Sequence, residues 1–214
     1  MLPMLKLYYS PGSCARASLI ALAESGADYQ ISRVDFSRNA QREPEYLSIN
    51  PKGRVPALAT GRGILTESLA ILGYIAQSFP AARLAPLEDP FAFAQMQGFN
   101  SYIASTVHVA HAHGRRAARW SDDPAAQATM QAKVAQNMLE CFQLIQSSML
   151  KGPWVMGEAY TVADCYLFTL SCWLEEDGVP LAKLPAIQAH HERVAGRPAV
   201  QRALAQEAAG TTQV

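Results

Sequence analysis

Four stretches of this 214-residue chain carry side chains that could do chemistry. The first is Ser10-Pro11-Gly12-Ser13-Cys14. Before it, Leu5-Lys6-Leu7-Tyr8-Tyr9 is an apolar and aromatic run that reads as a buried strand. After it, Ala15, Ala17, Leu19, Ile20, Ala21, Leu22 and Ala23 are helix-forming residues. Ser13 or Cys14 therefore falls in the first turn of a helix, where backbone N–H groups are unpaired and the helix dipole is positive. A thiol in that position is biased toward thiolate, and the same helix end attracts the thiolate of a ligand. The plain alternative is a small residue packed at a helix start. Pro11 stands three residues before Cys14, so an intramolecular dithiol cycle is excluded at this site.

The second stretch is Val55-Pro56 at the start of a strand, where proline cannot donate to a ladder. A cis bond there would leave the N–H and C=O of Val55 free to pair with an extended peptide; an ordinary edge-strand proline is the alternative. The third is Thr66-Glu67-Ser68 at a predicted helix start. Its backbone N–H groups and the Ser68 hydroxyl suit a carboxylate, and Glu67 suits an ammonium, unless the three residues merely cap the helix. The fourth is the histidine group His108, His111 and His113. His108 and His111 share a helix face while His113 turns away, and no third ligand on that face suggests a metal.

The elements that must position these residues change character along the chain. The first ~80 residues read as strand, helix, strand, helix, strand, strand, helix, the first three forming a βαβ unit with parallel strands. Gly26 ends the first helix and Tyr29 to Val34 alternates as a second strand. Asp35 to Tyr46 is polar, with a short helix near Glu43 to Leu47, and Asn50-Pro51-Lys52-Gly53 is a turn. Val55 to Ala59 and Gly63 to Leu65 form a hairpin, and Thr66 opens a helix that Pro80 stops. The boundaries read as domain 1–80, linker 81–90 and domain 91–214. In the last of these, strand signals vanish. Phe91 to about Trp120 reads as one long helix with Gly98 and Gly114 as weak points, and Pro124 to about Leu150 as another. Thr161 and Asp164 form a capping box ahead of an apolar, central helix from Cys165 to Leu174. Two short helices follow Leu184-Pro185 and Arg197-Pro198, and Gly210 to Val214 should fray.

Composition narrows the partners. Eighteen basic residues balance eighteen acidic ones, so no nucleic acid or anionic membrane is expected. No apolar run approaches the ~18 residues of a membrane span, and no secretory signal is expected. Cys14, Cys141, Cys165 and Cys172 are scattered, which argues against a disulfide framework and for a reduced, cytoplasmic setting.

Together these pieces resemble the cytosolic glutathione S-transferases over nearly the whole chain. The resemblance rests on Leu-Tyr-Tyr-Ser-Pro-Gly-Ser-Cys at 7–14, Asn-Pro-Lys-Gly-Arg-Val-Pro at 50–56, Leu-Thr-Glu-Ser-Leu-Ala-Ile-Leu at 65–72 and Tyr-Thr-Val-Ala-Asp at 160–164. It implies an α/β thioredoxin-like N-terminal domain (βαβ-α-ββα), an all-α C-terminal domain, a glutathione site on the first, a hydrophobic electrophile site between the two, and a homodimer. The chain looks most like the bacterial beta class, whose site cysteine matches Cys14 and whose histidine on the first long helix matches His108, in Ala-Ser-Thr-Val-His at 104–108. By this resemblance Cys14, Ser13 and His108 are catalytic, and Tyr9, Val55, Pro56, Glu67, Ser68 and Ser105 bind glutathione. Glutathione's peptide backbone goes to Val55, with Pro56 cis, and its γ-glutamyl end to Glu67 and Ser68. Tyr9 and Ser13 stand where other classes keep a hydroxyl for the sulfur, and Thr161 and Asp164 match the family's folding cap. The lysine that usually follows the class histidine is Val109 here, and its usual asparagine gives way to Ser101, with Asn100 beside it.

The implied reaction is a detoxifying attack of glutathione thiolate on a hydrophobic electrophile, with glutathione as co-substrate and no permanently bound cofactor. Lowering a thiol pKa by about two units corresponds to about 2.7 kcal/mol, most of which a helix end and nearby hydroxyls can supply. Two rivals predict other outcomes: a glutathione-dependent disulfide or peroxide reductase working through Cys14, and a non-catalytic ligand-binding module.

Overall fold

A computed structural model describes residues 4–210. The chain forms two compact units, one of residues up to Phe93 together with those from Ala195 on, the other Ala94–Val194.

The first unit is built on a four-stranded sheet in the order β2-β1-β3-β4. β1 (Leu5–Tyr9) pairs parallel with β2 (Tyr29–Arg33) and antiparallel with β3 (Ala57–Thr60), which pairs antiparallel with β4 (Gly63–Thr66). β1 is central, so Leu5, Leu7, Tyr8 and Tyr9 are all buried, as its unbroken apolar run requires. α1 (Ala15–Ser25) joins β1 to β2. It packs between α3 (Ser68–Ser78) and α10 (Pro198–Ala209), which explains why small alanines alternate with Leu19, Ile20 and Leu22 around it. Each of those three larger side chains is buried, contributing about 1.5–3 kcal/mol.

The polar stretch after β2 holds two 3₁₀ turns, Phe36–Arg38 and Ala40–Arg42, and then α2 (Pro44–Ile49). The helix at 66 begins later than expected. Thr66 completes β4, opposite Ala57, and α3 starts at Ser68.

α10 is a working part of the first unit. The Arg197 guanidinium forks onto Glu24 at 2.6 and 2.8 Å, and the Tyr29 hydroxyl donates to Gln206 at 2.6 Å. Of the predicted frayed end, Gly210 closes α10 with a left-handed φ of 62°. Residues 211–214 lie outside the described residues.

In the second unit the two long helices are interrupted where no glycine or proline signals it. α4 (Pro90–Tyr102) runs through Gly98 into a π-helical segment, Ile103–Val107, and on to α5 (His108–Arg115). The expected helix from Pro124 divides at Lys133 into α6 (Pro124–Ala132) and α7 (Val134–Leu144), followed by a second π-helical segment, Ile145–Met149. α8 (Val162–Ser171) is buried along its whole length, as its apolar composition predicts. α9 (Pro185–Ala195) follows.

The capping box at α8 forms with short bonds. Asp164 Oδ2 accepts the Thr161 N–H at 2.7 Å, and Asp164 Oδ1 accepts the Val155 N–H at 2.7 Å and sits 2.9 Å from His190 Nε2. Asp164 and His190 are both fully buried.

Candidate active site

Ser10 to Ser13 form a type II turn. Pro11 supplies its second position, Gly12 its left-handed third (φ 72°), and the Ser13 N–H closes it on Ser10 O at 3.1 Å. The Ser13 hydroxyl donates to the same carbonyl at 2.6 Å and accepts the Ala15 N–H at 3.3 Å, so it is spent on the turn. Cys14 follows, partly exposed, with no acidic residue in the first turn of α1. Its Sγ lies 3.5 Å from Val55 O.

That contact brings the first two predicted stretches together. The Val55-Pro56 bond is cis. The carbonyl just before Val55, that of Arg54, is held by two donors, the Tyr46 hydroxyl at 2.7 Å and the Asn50 amide at 2.6 Å. Burial pushes the Tyr46 phenol well above its usual pKa; Asn50 pulls the other way, and nearby Tyr8 and Cys14 push it up. Tyr46 is therefore a donor that keeps its proton. Gly53 completes the turn with φ 59°, and a Cβ on it would meet Gln41 O at 2.8 Å.

The third stretch joins through the ladder. Because Ala57 pairs with Thr66, the residues just before β3 run beside those just after β4. Glu67 has φ 72°, unusual for a non-glycine residue, and caps nothing with its side chain. The carboxylate instead pairs with Lys52, whose ammonium also donates to Thr66 Oγ1 at 2.7 Å. Ser68 is buried as the first residue of α3, a helix that, like α1, has no acid in its first turn.

Tyr9 stands apart from its expected role. It is fully buried, and its hydroxyl donates to the backbone carbonyl of Glu207 at 3.3 Å. Burial, and then the Glu207 carboxylate, hold its phenol above the usual pKa, with Arg33 acting in the opposite sense. Its geometry is that of a core residue under the turn.

In the second unit, His108 opens α5 directly after the π segment, a local distortion often found at functional positions. Its ring centroid is 5.1 Å from that of Trp173, on whose other neighbour, His111, the indole stacks at 4.2 Å and 22°. His111 Nδ1 contacts both carboxylate oxygens of Asp177, at 2.8 and 2.9 Å. His113 turns away and packs on Trp120 at 4.3 Å. Ser105 is exposed, and its hydroxyl donates to Ser101 O at 2.8 Å. No group of three potential metal ligands occurs among the described residues. No disulfide joins Cys14, Cys141, Cys165 or Cys172 among the described residues.

Sequence reasoning missed Tyr46, Lys52, Trp173, Asp177 and Glu207. The first two lie in the short helix and the turn expected there, whose composition gave neither residue a role at the site. The others act on residues far away in sequence, which no local pattern signals.

A thioredoxin-like mixed sheet followed by a helical unit, with a thiol at the first helix start beside a cis-proline strand, defines a class of thiol-handling proteins. The chain belongs to the glutathione S-transferase family and is an enzyme of that family. Residues 3–77 match the N-terminal domain of glutathione S-transferase and residues 102–198 its C-terminal domain. The chain is 35% identical to the glutathione S-transferase GstA of Escherichia coli O157:H7, covering 95% of this chain and 98% of that one. It resembles the crystal structure of a Sulfitobacter glutathione transferase homologue with bound glutathione, at TM-score 0.92 and 42% identity over 97% of this chain and 99% of that one. A beta-class glutathione S-transferase of Sphingomonas chungbukensis superposes at TM-score 0.83 and 31% identity, over 94% and 98% of the two chains. No helix among the described residues is long and apolar enough to cross a membrane.

Proposed function

We propose that this transferase joins the thiolate of glutathione to a hydrophobic electrophile, and that Cys14 is the residue beside which the reacting sulfur is held. The observation that carries the reading is the meeting of Cys14 Sγ with Val55 O at 3.5 Å, at the start of a helix with no acid in its own first turn. In this reading Val55 and Pro56 take the tripeptide's backbone, and Glu67 and Ser68 its γ-glutamyl end. Lys52 holds the Glu67 carboxylate in place. The resemblance gives His108 a catalytic role and Ser105 a glutathione-binding one, and Ser13 acts by fixing the turn.

The chemistry is a displacement or addition. The glutathione sulfur forms a bond to the electrophilic carbon, and with an aryl halide the halide leaves with its electron pair. The protein's share is to keep sulfur ionised at neutral pH. A free thiol of pKa about 8.5 is mostly protonated there, and the positive end of α1 favours the anion by about 0.3–2 kcal/mol. Glutathione arrives as co-substrate, with no permanent cofactor. A homodimer in the cytoplasm, with glutathione-binding domain 1–80, linker 81–90 and electrophile domain 91–214, completes the reading, the last helix of that segment, α10, packing with the first unit's α1.

Steady-state conjugation of glutathione to an aryl halide tests it. Turnover is expected with the wild-type chain, and Cys14→Ala should retain glutathione binding while losing exchange with glutathionylated thiols. A wild-type chain that binds glutathione yet turns over no member of an electrophile panel would overturn it.

A further inference from the structure

The Ser10–Ser13 turn sets where Cys14 sits, and one distant residue holds that turn from three sides. Glu207, on α10, is 4% exposed. Its Oε1 accepts the Gly12 N–H at 3.0 Å, its Oε2 accepts from Arg16 Nε at 2.8 Å, and its main-chain carbonyl accepts the Tyr9 hydroxyl at 3.3 Å. Tyr9 precedes the turn, Gly12 lies in it and Arg16 follows Cys14 by two residues. In a type II turn the central amide points away from the closing hydrogen bond and must find an acceptor elsewhere. Here it finds an ionised one, the stronger kind.

We propose that Glu207 is a positioning residue for Cys14: α10 braces the Pro-Gly turn through the Gly12 N–H and thereby fixes the thiol against Val55. The brace is itself rigid. A carboxylate this buried is tolerated only where its partners are in place, and Arg16 supplies the opposite charge. α10 is tied down further by the Arg197–Glu24 fork and the Tyr29–Gln206 bond, so it cannot follow the turn if the turn moves. Without the acceptor, Gly12 keeps its left-handed conformation but its amide has lost the group that aims it. Small displacements at a reacting centre are costly even when substrate binding survives. The inference rests on the role proposed above for Cys14.

The experiment compares wild type, Glu207→Ala, Glu207→Gln, Arg16→Met and Cys14→Ala. It measures kcat and KM for glutathione in exchange with a glutathionylated thiol, thermal unfolding, and hydrogen exchange of the Gly12 amide by NMR. Glu207→Ala should lose about tenfold in kcat with KM little changed, and Gly12 should lose its protection. Glu207→Gln keeps an oxygen for Gly12 but not the charge for Arg16. It should recover kcat to within about threefold of wild type, with Gly12 protected, although it unfolds at the lower temperature shared by Arg16→Met. The proposal is overturned if kcat in the two Glu207 variants falls together and tracks the unfolding temperature, or if Gly12 stays protected in Glu207→Ala. Should Glu207→Ala fail to fold, Glu207→Gln against Arg16→Met decides alone: equal losses of kcat contradict a role through Gly12. Cys14→Ala separates the two ideas. Wild-type exchange in that variant would remove the role given to Cys14 and leave the Gly12 measurement to report on the brace.

Discussion

The starts of α8 and α1 solve the same electrostatic problem in opposite ways. At α8 a carboxylate in the first turn, Asp164, closes the positive helix end with N–H bonds of 2.7 Å, entirely out of water. At α1 there is no acid in the first turn, the Ala15 N–H reaches only a neutral hydroxyl at 3.3 Å, and the N-cap residue is a partly exposed thiol. The nearest carboxylate described there, that of Glu207, is taken by Arg16 and Gly12. The first arrangement spends the helix end on stability. The second leaves its first turn without an acid, and in the proposed site the anion placed there is the reacting sulfur.

Exchanging features between the two starts should show the difference. The largest effect is expected from Asp164→Ala, which strands the buried N–H groups of Val155 and Thr161 and leaves buried His190 without its partner. A loss of about 3–5 kcal/mol is expected, read as a shift of the urea midpoint. Thr161→Ala removes only the hydroxyl half of the box and should cost about 1 kcal/mol in the same assay. The smallest change in stability belongs to Cys14→Asp, which gives α1 the acid it lacks. It should gain about 0.3–1 kcal/mol while abolishing turnover. Were Cys14→Asp both destabilised and active, the open helix end would not be what the site uses.

How far the sequence foretold this depends on how local the cause is. The strand and helix around Cys14, the Asn50–Gly53 turn and the Thr161–Asp164 box are each written within a few residues, and each formed where expected. The π segment before His108 and the division at Lys133 carry no glycine or proline, so helical periodicity ran straight through them. Tyr9 looked like a ligand hydroxyl because its use by Glu207 depends on a residue 198 positions away. Trp173 and Asp177, which frame His108 and His111, come from beyond α8 and leave no mark on the histidines' own stretch.

The most direct test is a crystal structure of the chain with glutathione. The account predicts the glutathione sulfur within hydrogen-bonding reach of Cys14 Sγ, or covalently joined to it, with the γ-glutamyl end at Glu67 and Ser68. Glutathione bound with its sulfur away from Cys14 and its backbone away from Val55 would contradict it.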